Sequence, residues 1–299
     1  MTSALLGPLS KSRRERLIYI DFRLCFLGRV TRADLCERFG IAPAVATRDF
    51  SNYKHLAPAN LVMDPHRRQY GPADTFVPVF DHVMERVLTE LSSGFGDGGR
   101  GELTSLIACE TPGHISRPDF KVLCCVSRAI NLGQVLDIEY HSNTSGLGRR
   151  EIVPIALVDN GLCWHIRAFD RVHDEFRDFV LTRIATPHVS SSLPLAHESI
   201  LADDQWMRMV DLELVPHPRC RQPAVVEKDF SMIDGVLHLR VRAANAGYIL
   251  RRWSVDCTSR HDLSPLEHPL CLRNPISLYC VDSAVLAPGF TSAELFCHG

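Results

Sequence analysis

The spacing of the hydrophobic residues changes near residue 135, from a period of three and four to strict alternation. Four successive segments then alternate: VLDIEYHSN, REIVPIALVDN, GLCWHIRAFD and DEFRDFVLTRI. Turn signals separate them, and one of these, Asn160-Gly161, is typical of tight hairpins. The pattern predicts a small antiparallel barrel or sheet in the middle of the chain.

The alternating segments also predict a polar face that is rich in arginine. In GLCWHIRAFD, Trp164 and Ile166 fall on the core side, with His165 and Arg167 opposite them. In the last segment Arg177 and Arg183 alternate together, so we expect them to be neighbours of Arg167 on one face. The candidate residues of this face are Arg167, Arg177, Arg183 and His165.

Clustered arginines repel one another unless an anion or a carboxylate lies among them. Planar guanidinium groups suit phosphate, which makes this face a candidate binding site for an anionic ligand. The alternative is that Asp174, Glu175 and Asp178 neutralise the arginines in surface ion pairs. The pattern alone leaves both interpretations open.

Residues 31–57 predict two helices joined by a tight turn. Thr31 is a favourable N-cap, with Asp34 at the position where a capping box usually has Glu. Gly40 ends the first helix, and Pro43 begins the second at the position that best tolerates proline. A hairpin around Asp64-Pro65-His66 follows.

Two helices with a tight turn, followed by a basic hairpin, are typical of a winged helix-turn-helix. Its second helix enters the major groove of DNA, where Arg48 would pair with guanine and Asn52 with adenine. The alternative is a three-helix bundle with a solvated polar face. The candidate DNA-binding residues are Thr31, Ala44, Thr47, Arg48, Ser51, Asn52, Lys54, His55, Arg67 and Arg68.

The charge distribution favours the DNA-binding interpretation. Residues 1–72 contain 12 Lys and Arg against 6 Asp and Glu, whereas residues 73–299 contain 21 against 29. A basic N-terminal unit on a mildly acidic body predicts a polyanionic partner for the first domain.

The sequence lacks the common catalytic motifs. It has no P-loop, GxGxxG, GxSxG or HExxH, and Asp203-Asp204 is interpreted as a solvated carboxylate pair. The 11 cysteines are scattered without a CxxC spacing. We therefore expect no enzymatic activity, no cofactor and no metal. No apolar run approaches the roughly 20 residues of a membrane helix, so a cytoplasmic protein is expected.

The alternating segments of residues 135–185 resemble a WYL domain. The family pattern has Tyr-x-Ser at a strand end, Arg before an Ile-x-Pro strand, a Trp-Tyr-Leu triplet and an Arg-x-Phe-x-Leu-x-Arg-Ile strand. The matching residues here are Tyr140, Ser142, Arg150, Ile152, Pro154, Trp164, His165, Ile166 and the run Arg177 to Ile184. The sequence departs from the pattern at His165 and Ile166, which replace the usual tyrosine and leucine.

The N-terminal segment RDFSNYKHLAPANLVMDPHRRQYGP and the later HPRCRQPAVVEKDF resemble the BrxR/CapW group of regulators at phage-defence loci. The resemblance implies a homodimeric repressor of a phage-defence operon, bound to a palindromic double-stranded operator. It also implies an Sm-like barrel that binds a nucleic-acid or nucleotide effector. The ligand residues that the resemblance implies are Ser142, Arg150, His165, Arg177 and Arg183, and Tyr140 and Arg167 complete the set of candidates.

Together these features predict a multidomain α+β chain without a membrane partner. Its expected parts are a winged helix-turn-helix with a trailing helix (1–91), a linker (92–117), a WYL domain (118–205) and a small C-terminal α+β dimerisation module (206–299). Two alternatives stay open: a transcriptional activator of a DNA-damage response, and a nucleotide-processing enzyme that uses the His/Arg face.

Overall fold

A computed structural model of the chain describes residues 10–95, 105–110 and 115–291. The chain divides into two compact units, Met1–Pro112 and Gly113–Gly299. The boundary falls inside the segment predicted as a linker. Most of the glycine-rich stretch within that segment, residues 96–101, lies outside the described residues.

The helices of unit 1 follow the local signals of the sequence. Thr31 and Asp34 form a reciprocal capping box, as predicted, and Gly40 ends the second helix in the left-handed conformation. Pro43 occupies the first turn of the third helix, also as predicted. The helices are α1 (Lys11–Phe22, continued by a π-helical turn Arg23–Leu27), α2 (Arg32–Phe39), α3 (Pro43–Leu56) and α4 (Met84–Ser93).

A two-stranded antiparallel hairpin lies between α3 and α4. It consists of β1 (Leu61–Asp64) and β2 (Gln69–Pro72). The Asp64 carboxylate accepts hydrogen bonds from the backbone amides of His66 and Arg67, which closes the turn. The hairpin was predicted at this place from the turn residues.

Unit 2 begins with a helix packed on a five-stranded antiparallel sheet. The strand order is β6-β5-β4-β3-β7, and no pairing joins the edge strands β6 and β7 among the described residues. The Sm-like barrel implied by the resemblance is therefore not confirmed. The elements are α5 (Phe120–Leu132), β3 (Leu136–Ser142), β4 (Gly146–Asp159), β5 (Trp164–Asp170), β6 (Glu175–Val180) and β7 (Ile184–Val189).

The segment predicted as the fourth strand is interrupted. A 3-10 turn at Leu181–Arg183 separates β6 from β7, which lies at the opposite edge of the sheet. Phe179, Leu181 and Ile184 are all buried in the same core, a spacing that continuous alternation cannot produce. The expectation that Arg177 and Arg183 occupy one strand is therefore wrong.

The rest of unit 2, as far as it is described, forms a second sheet with three α-helices and a core of its own. Its strand order is β10-β11-β8-β9, and β9 is an edge strand. Two pieces were anticipated from the sequence, the strand near 236–243 and the helix near 246–255. The elements are α6 (Asp204–Met207), β8 (Met209–Pro216), α7 (Pro223–Asp229), β9 (Leu237–Arg242), α8 (Ala243–Arg252), β10 (Val255–Asp256) and β11 (Leu270–Leu272).

Candidate nucleic-acid interface and ligand pocket

One face of α3 is buried and the other carries most of the predicted DNA-binding residues. Ala46, Phe50 and Tyr53 are in the core, as the helical period requires. Asn52 is half-buried, and its amide nitrogen has no hydrogen-bond partner. The exposed residues of the outer face are Ala44, Thr47, Arg48, Ser51, Lys54 and His55.

Buried carboxylates fix the orientation of α3. Asp21 of α1 is fully buried, accepts a hydrogen bond from the hydroxyl of Tyr53 and lies 2.9 Å from His82 Nε2. One turn earlier on α3, Asp49 accepts a hydrogen bond of 2.6 Å from Arg16 Nε. A buried carboxylate is stable when it is paired and hydrogen-bonded, so these contacts hold α3 with its polar face outward.

The cations on this surface are largely uncompensated. In the part of unit 1 that the structure describes, no carboxylate lies within ion-pair distance of Arg48, Lys54 or Arg68. Arg67 on the hairpin is exposed and lies 4.0 Å from Asp64. The surface can therefore attract a polyanion without first breaking strong internal ion pairs.

The hydroxyl of Thr31, another candidate DNA-binding residue, caps the start of α2. Its Oγ1 accepts a hydrogen bond from the Asp34 amide at 3.1 Å and donates one to the Asp34 carboxylate at 2.7 Å. The hydroxyl is thus occupied by the cap at the start of α2.

The predicted ligand residues of unit 2 gather around a cavity of about 550 Å³, within the range of small-ligand sites. The cavity is built between the edge of the first sheet and the C-terminal part of the unit. It is lined by Tyr140, Ser142, Arg150, Arg167, Arg177 and Arg183 among the predicted residues. His165 is not among its lining residues.

Arg167 is a buried arginine held by two carboxylates. Its Nε and Nη2 donate to the two oxygens of Asp203 at 2.7 and 3.0 Å, and its Nη1 donates to Asp178 at 3.4 Å. Burial alone would lower the pKa of Arg167, but the hydrogen bonds to Asp203 and the charge of Asp178 raise that pKa above its usual value. Arg167 therefore forms a wall of the cavity with its charge already neutralised.

Arg177 does not share a face with Arg167, which corrects the alternation argument. Across the β5–β6 pair, Arg177 lies opposite Ala168, whereas Arg167 lies opposite Asp178. Directly opposed residues share a face, so the two arginines project from opposite faces of the sheet. Both nevertheless line the cavity.

The remaining arginines of the cavity differ in their partners. Arg177 pairs with Glu175 at 2.7 Å and is 3.9 Å from Asp170. Within the described part of unit 2, no carboxylate lies within ion-pair distance of Arg150 or Arg183. These two guanidinium groups are the ones best placed to receive an anion.

His165 is buried beside the cavity and packs on Tyr248 of α8, with ring centroids 4.6 Å apart. Burial lowers the pKa of His165, so the imidazole is neutral near pH 7. The hydroxyl of Tyr248 donates to Asp178 at 2.9 Å. His165 thus contributes to the contact between the sheet and α8 rather than to the wall of the cavity.

Several residues around the cavity were missed by the sequence reasoning. Asp203 was interpreted as a solvated carboxylate, but it is 1% exposed and accepts both hydrogen bonds of the Arg167 fork. Gln205, Tyr248 and Asp282 line the cavity from the C-terminal part. The sequence signal that could have pointed to an ordered role for Asp203 was its position as the N-cap residue of α6.

Among the described residues, no group of three or more His, Cys, Asp and Glu side chains could hold a metal ion. None of the helices in the described ranges has the length and apolar character needed to cross a bilayer.

Three family models match successive parts of the chain. Residues 12–92 match the BrxR transcriptional regulator winged helix-turn-helix domain. Residues 121–189 match the WYL domain, and residues 209–278 match the BrxR transcriptional regulator C-terminal dimerization domain.

Curated relatives match nearly end to end. The chain is 30% identical over 282 residues to the DNA-binding transcriptional repressor CapW of Escherichia coli, covering 90% of this chain and 91% of the relative. The CapW repressor of Pseudomonas aeruginosa is 31% identical, with 89% and 93% covered, and that of Stenotrophomonas maltophilia is 32% identical, with 90% and 92% covered. The chain therefore belongs to the BrxR/CapW family of WYL-domain transcriptional regulators.

Proposed function

We propose that this protein is a sequence-specific DNA-binding transcriptional repressor that acts as a homodimer. The observation that carries the proposal is the exposed outer face of α3 next to a basic hairpin, where the charges of Arg48 and Lys54 have no carboxylate partner among the described residues of unit 1. The relatives of the chain are named DNA-binding transcriptional repressors.

In this proposal α3 is the recognition helix and the hairpin is the wing. Arg48 reads guanine and Asn52 reads adenine in the major groove, while Ala44, Thr47, Ser51 and His55 complete the contact surface. Lys54, Arg67 and Arg68 bind phosphates, which sets affinity and register without reading sequence. Thr31 acts indirectly, by fixing the start of α2.

The dimer follows from the C-terminal part of unit 2. The match to a dimerization domain over residues 209–278 supports it. Dimers of identical chains are usually two-fold symmetric, so the operator is expected to be a palindrome with two half-sites.

The cavity of unit 2 is proposed as the effector site. Arg150 and Arg183 supply guanidinium groups that have no carboxylate partner among the described residues of unit 2, and Arg177 has a side chain that is 45% exposed. Tyr140 and Tyr248 supply aromatic surface beside these charges. A phosphate next to an aromatic surface suits a nucleotide or a short nucleic acid, whose binding would change DNA affinity. We further propose a phage-defence operon as the regulated target.

Selection of bound duplexes from a random pool tests the DNA proposal. We expect enrichment of one palindromic sequence by the purified dimer, and lower output from a reporter promoter carrying that sequence when the protein is present. A pool without enrichment would refute sequence-specific binding, and higher reporter output would make the protein an activator.

The effector proposal has a separate test. A 5′-phosphorylated thymidine pentanucleotide serves as the probe in calorimetric titration. Arg183→Ala should weaken its binding, whereas Arg128→Ala, an exposed arginine on α5 that does not line the cavity, should leave it unchanged. Equal binding by both variants would remove the cavity from the proposal, and conversion of the probe would indicate an enzyme.

A further inference from the structure

Two arginines of α1 face one carboxylate of α3. Arg16 donates to both oxygens of Asp49, at 2.6 and 3.4 Å. Arg13 approaches the same carboxylate at 4.0 Å, and its side chain is 35% exposed, against 12% for Arg16. Because Arg16 holds the single negative charge of Asp49, the charge of Arg13 is left largely uncompensated beside α3.

The contacts between α1 and α3 occur in the same order along both helices. Asp21 meets Tyr53, and earlier in each helix Arg16 and Arg13 meet Asp49. The two N-terminal ends therefore point the same way. Arg13 lies about 12 Å before Asp21 along α1, but Asp49 lies only about 6 Å before Tyr53 along α3. Arg13 thus projects toward the N-terminal half of α3.

Arg14 adds a second positive charge next to that of Arg13, on the exposed side of α1. Its side chain is exposed and has no ion pair among the described residues of unit 1. The nearest acidic residue on the helix, Glu15, lines a cavity with Phe39 and Phe95, away from Asp49. We call Arg13 and Arg14 the α1 basic patch.

We propose that the α1 basic patch binds phosphates of the operator backbone beside the groove that α3 enters. The inference rests on the proposed function. A recognition helix inserts its N-terminal residues into the groove, so a neighbouring group that projects toward that end meets the flanking backbone. Guanidinium groups bind phosphate in a fork geometry. Arg16 is a positioning residue, because its charge is committed to Asp49.

The test compares the double variant Arg13→Ala/Arg14→Ala with the wild-type dimer on the selected duplex and on a shuffled one. Fluorescence anisotropy gives the dissociation constants between 50 and 200 mM KCl. Each protomer loses two phosphate contacts, four per dimer, which should weaken both complexes by roughly 10³- to 10⁴-fold near 100 mM salt and reduce the slope of log K against log salt by about 3.6.

Two controls keep the outcome interpretable. Arg86→Ala removes an exposed arginine of α4 that pairs with Glu90 and should bind DNA as the wild type does. Arg13→Lys/Arg14→Lys keeps the charges and should recover most of the affinity. The melting temperature of the alanine variant should not change, because Arg16 still pairs with Asp49.

The possible results separate the two proposals. An alanine variant with wild-type affinity and slope overturns the phosphate contact, as does a loss confined to the selected duplex or a loss that follows from a lower melting temperature. A wild-type dimer that binds neither duplex instead overturns the proposed function.

Discussion

The two arginine-bearing surfaces of the molecule differ in how their charges are balanced. On α3 and the wing, Arg48, Lys54 and Arg68 have no carboxylate partners among the described residues of unit 1. Around the cavity of unit 2, Arg167 is buried between Asp178 and Asp203.

The difference fits the two kinds of recognition that we propose for these surfaces. An uncompensated surface attracts any polyanion, and its selectivity comes from base contacts added to a general attraction. A cavity whose arginines are partly neutralised favours ligands that fit its remaining open positions, near Arg150 and Arg183. Arg167 is also held in the fold by buried ion pairs, whereas no ion pair of this kind holds Arg48, Lys54 or Arg68 among the described residues of unit 1.

The largest expected effect is on the stability of unit 2. Asp203→Ala removes both oxygens that hold the Arg167 fork and leaves a buried charge with a single, longer contact to Asp178. We expect the free energy of unfolding to fall by about 3–5 kcal/mol. Urea denaturation followed by tryptophan fluorescence measures this change.

The adjacent carboxylate provides the control. Asp204 is exposed, so Asp204→Ala should change the free energy of unfolding by no more than about 0.5 kcal/mol. Equal effects of the two substitutions would show that the Arg167 pair does not stabilise the fold.

The opposite behaviour is expected at the α3 surface. Arg48→Ala should leave stability unchanged but reduce the preference for the selected duplex over a shuffled one by about 1–3 kcal/mol for each half-site. Competition binding with both duplexes measures the preference. Arg67→Ala should weaken both complexes equally, and an equal loss for Arg48→Ala would remove its role as a base-reading residue.

A pH dependence of stability is expected from His165. Burial lowers the pKa of His165 in the folded state below the unfolded value of about 6.5. The unfolded chain therefore binds a proton first as the pH falls, and the stabilisation present above pH 6.5 is lost toward the folded pKa.

Denaturation at pH 7.5 and 5.5 tests this effect. From pH 7.5 to 5.5 the wild type should lose up to about 1.4 kcal/mol more than His165→Tyr, which cannot titrate in this range. The same loss in both proteins would assign the pH dependence to another group.

The smallest effect concerns Thr31, a candidate DNA contact whose hydroxyl caps α2. Thr31→Ala should lower the free energy of unfolding by about 1 kcal/mol, whereas Thr31→Ser should keep the capping box. Thermal unfolding measures both variants. If Thr31→Ala instead reduced DNA affinity with no change in stability, the hydroxyl would be placed at the DNA.

Features that depend on residues close together in the sequence could be predicted from it. The two helices, their turn and the outward face of α3 depend on residues within a few positions of one another, such as Thr31 with Asp34 and Gly40 before Pro43. Local chemistry and a 3.6-residue period therefore predicted the helices and the outward polar face of α3. The buried Asp49 was missed, because its partner Arg16 lies on another helix.

The cavity depends on contacts that alternation cannot supply. Asp203 and Tyr248 reach Arg167 and Asp178 from 36 and 70 residues away. The 3-10 turn at Leu181–Arg183 also breaks the period that had placed Arg177 and Arg183 together. Six of the seven expected residues still line the cavity; Arg167, Arg177 and Arg183 were expected from the alternation, whereas Tyr140 and Ser142 were added through the resemblance.

The salt dependence of DNA binding is the most direct test of sequence-specific DNA binding by the dimer. Dissociation constants of the wild-type dimer for the selected and the shuffled duplex are measured by anisotropy between 50 and 300 mM KCl. We predict that log K falls linearly with log salt for both duplexes, and that the selected duplex binds at least about 10³-fold more tightly than the shuffled one. Affinity that is independent of salt, or equal for the two duplexes, would contradict it.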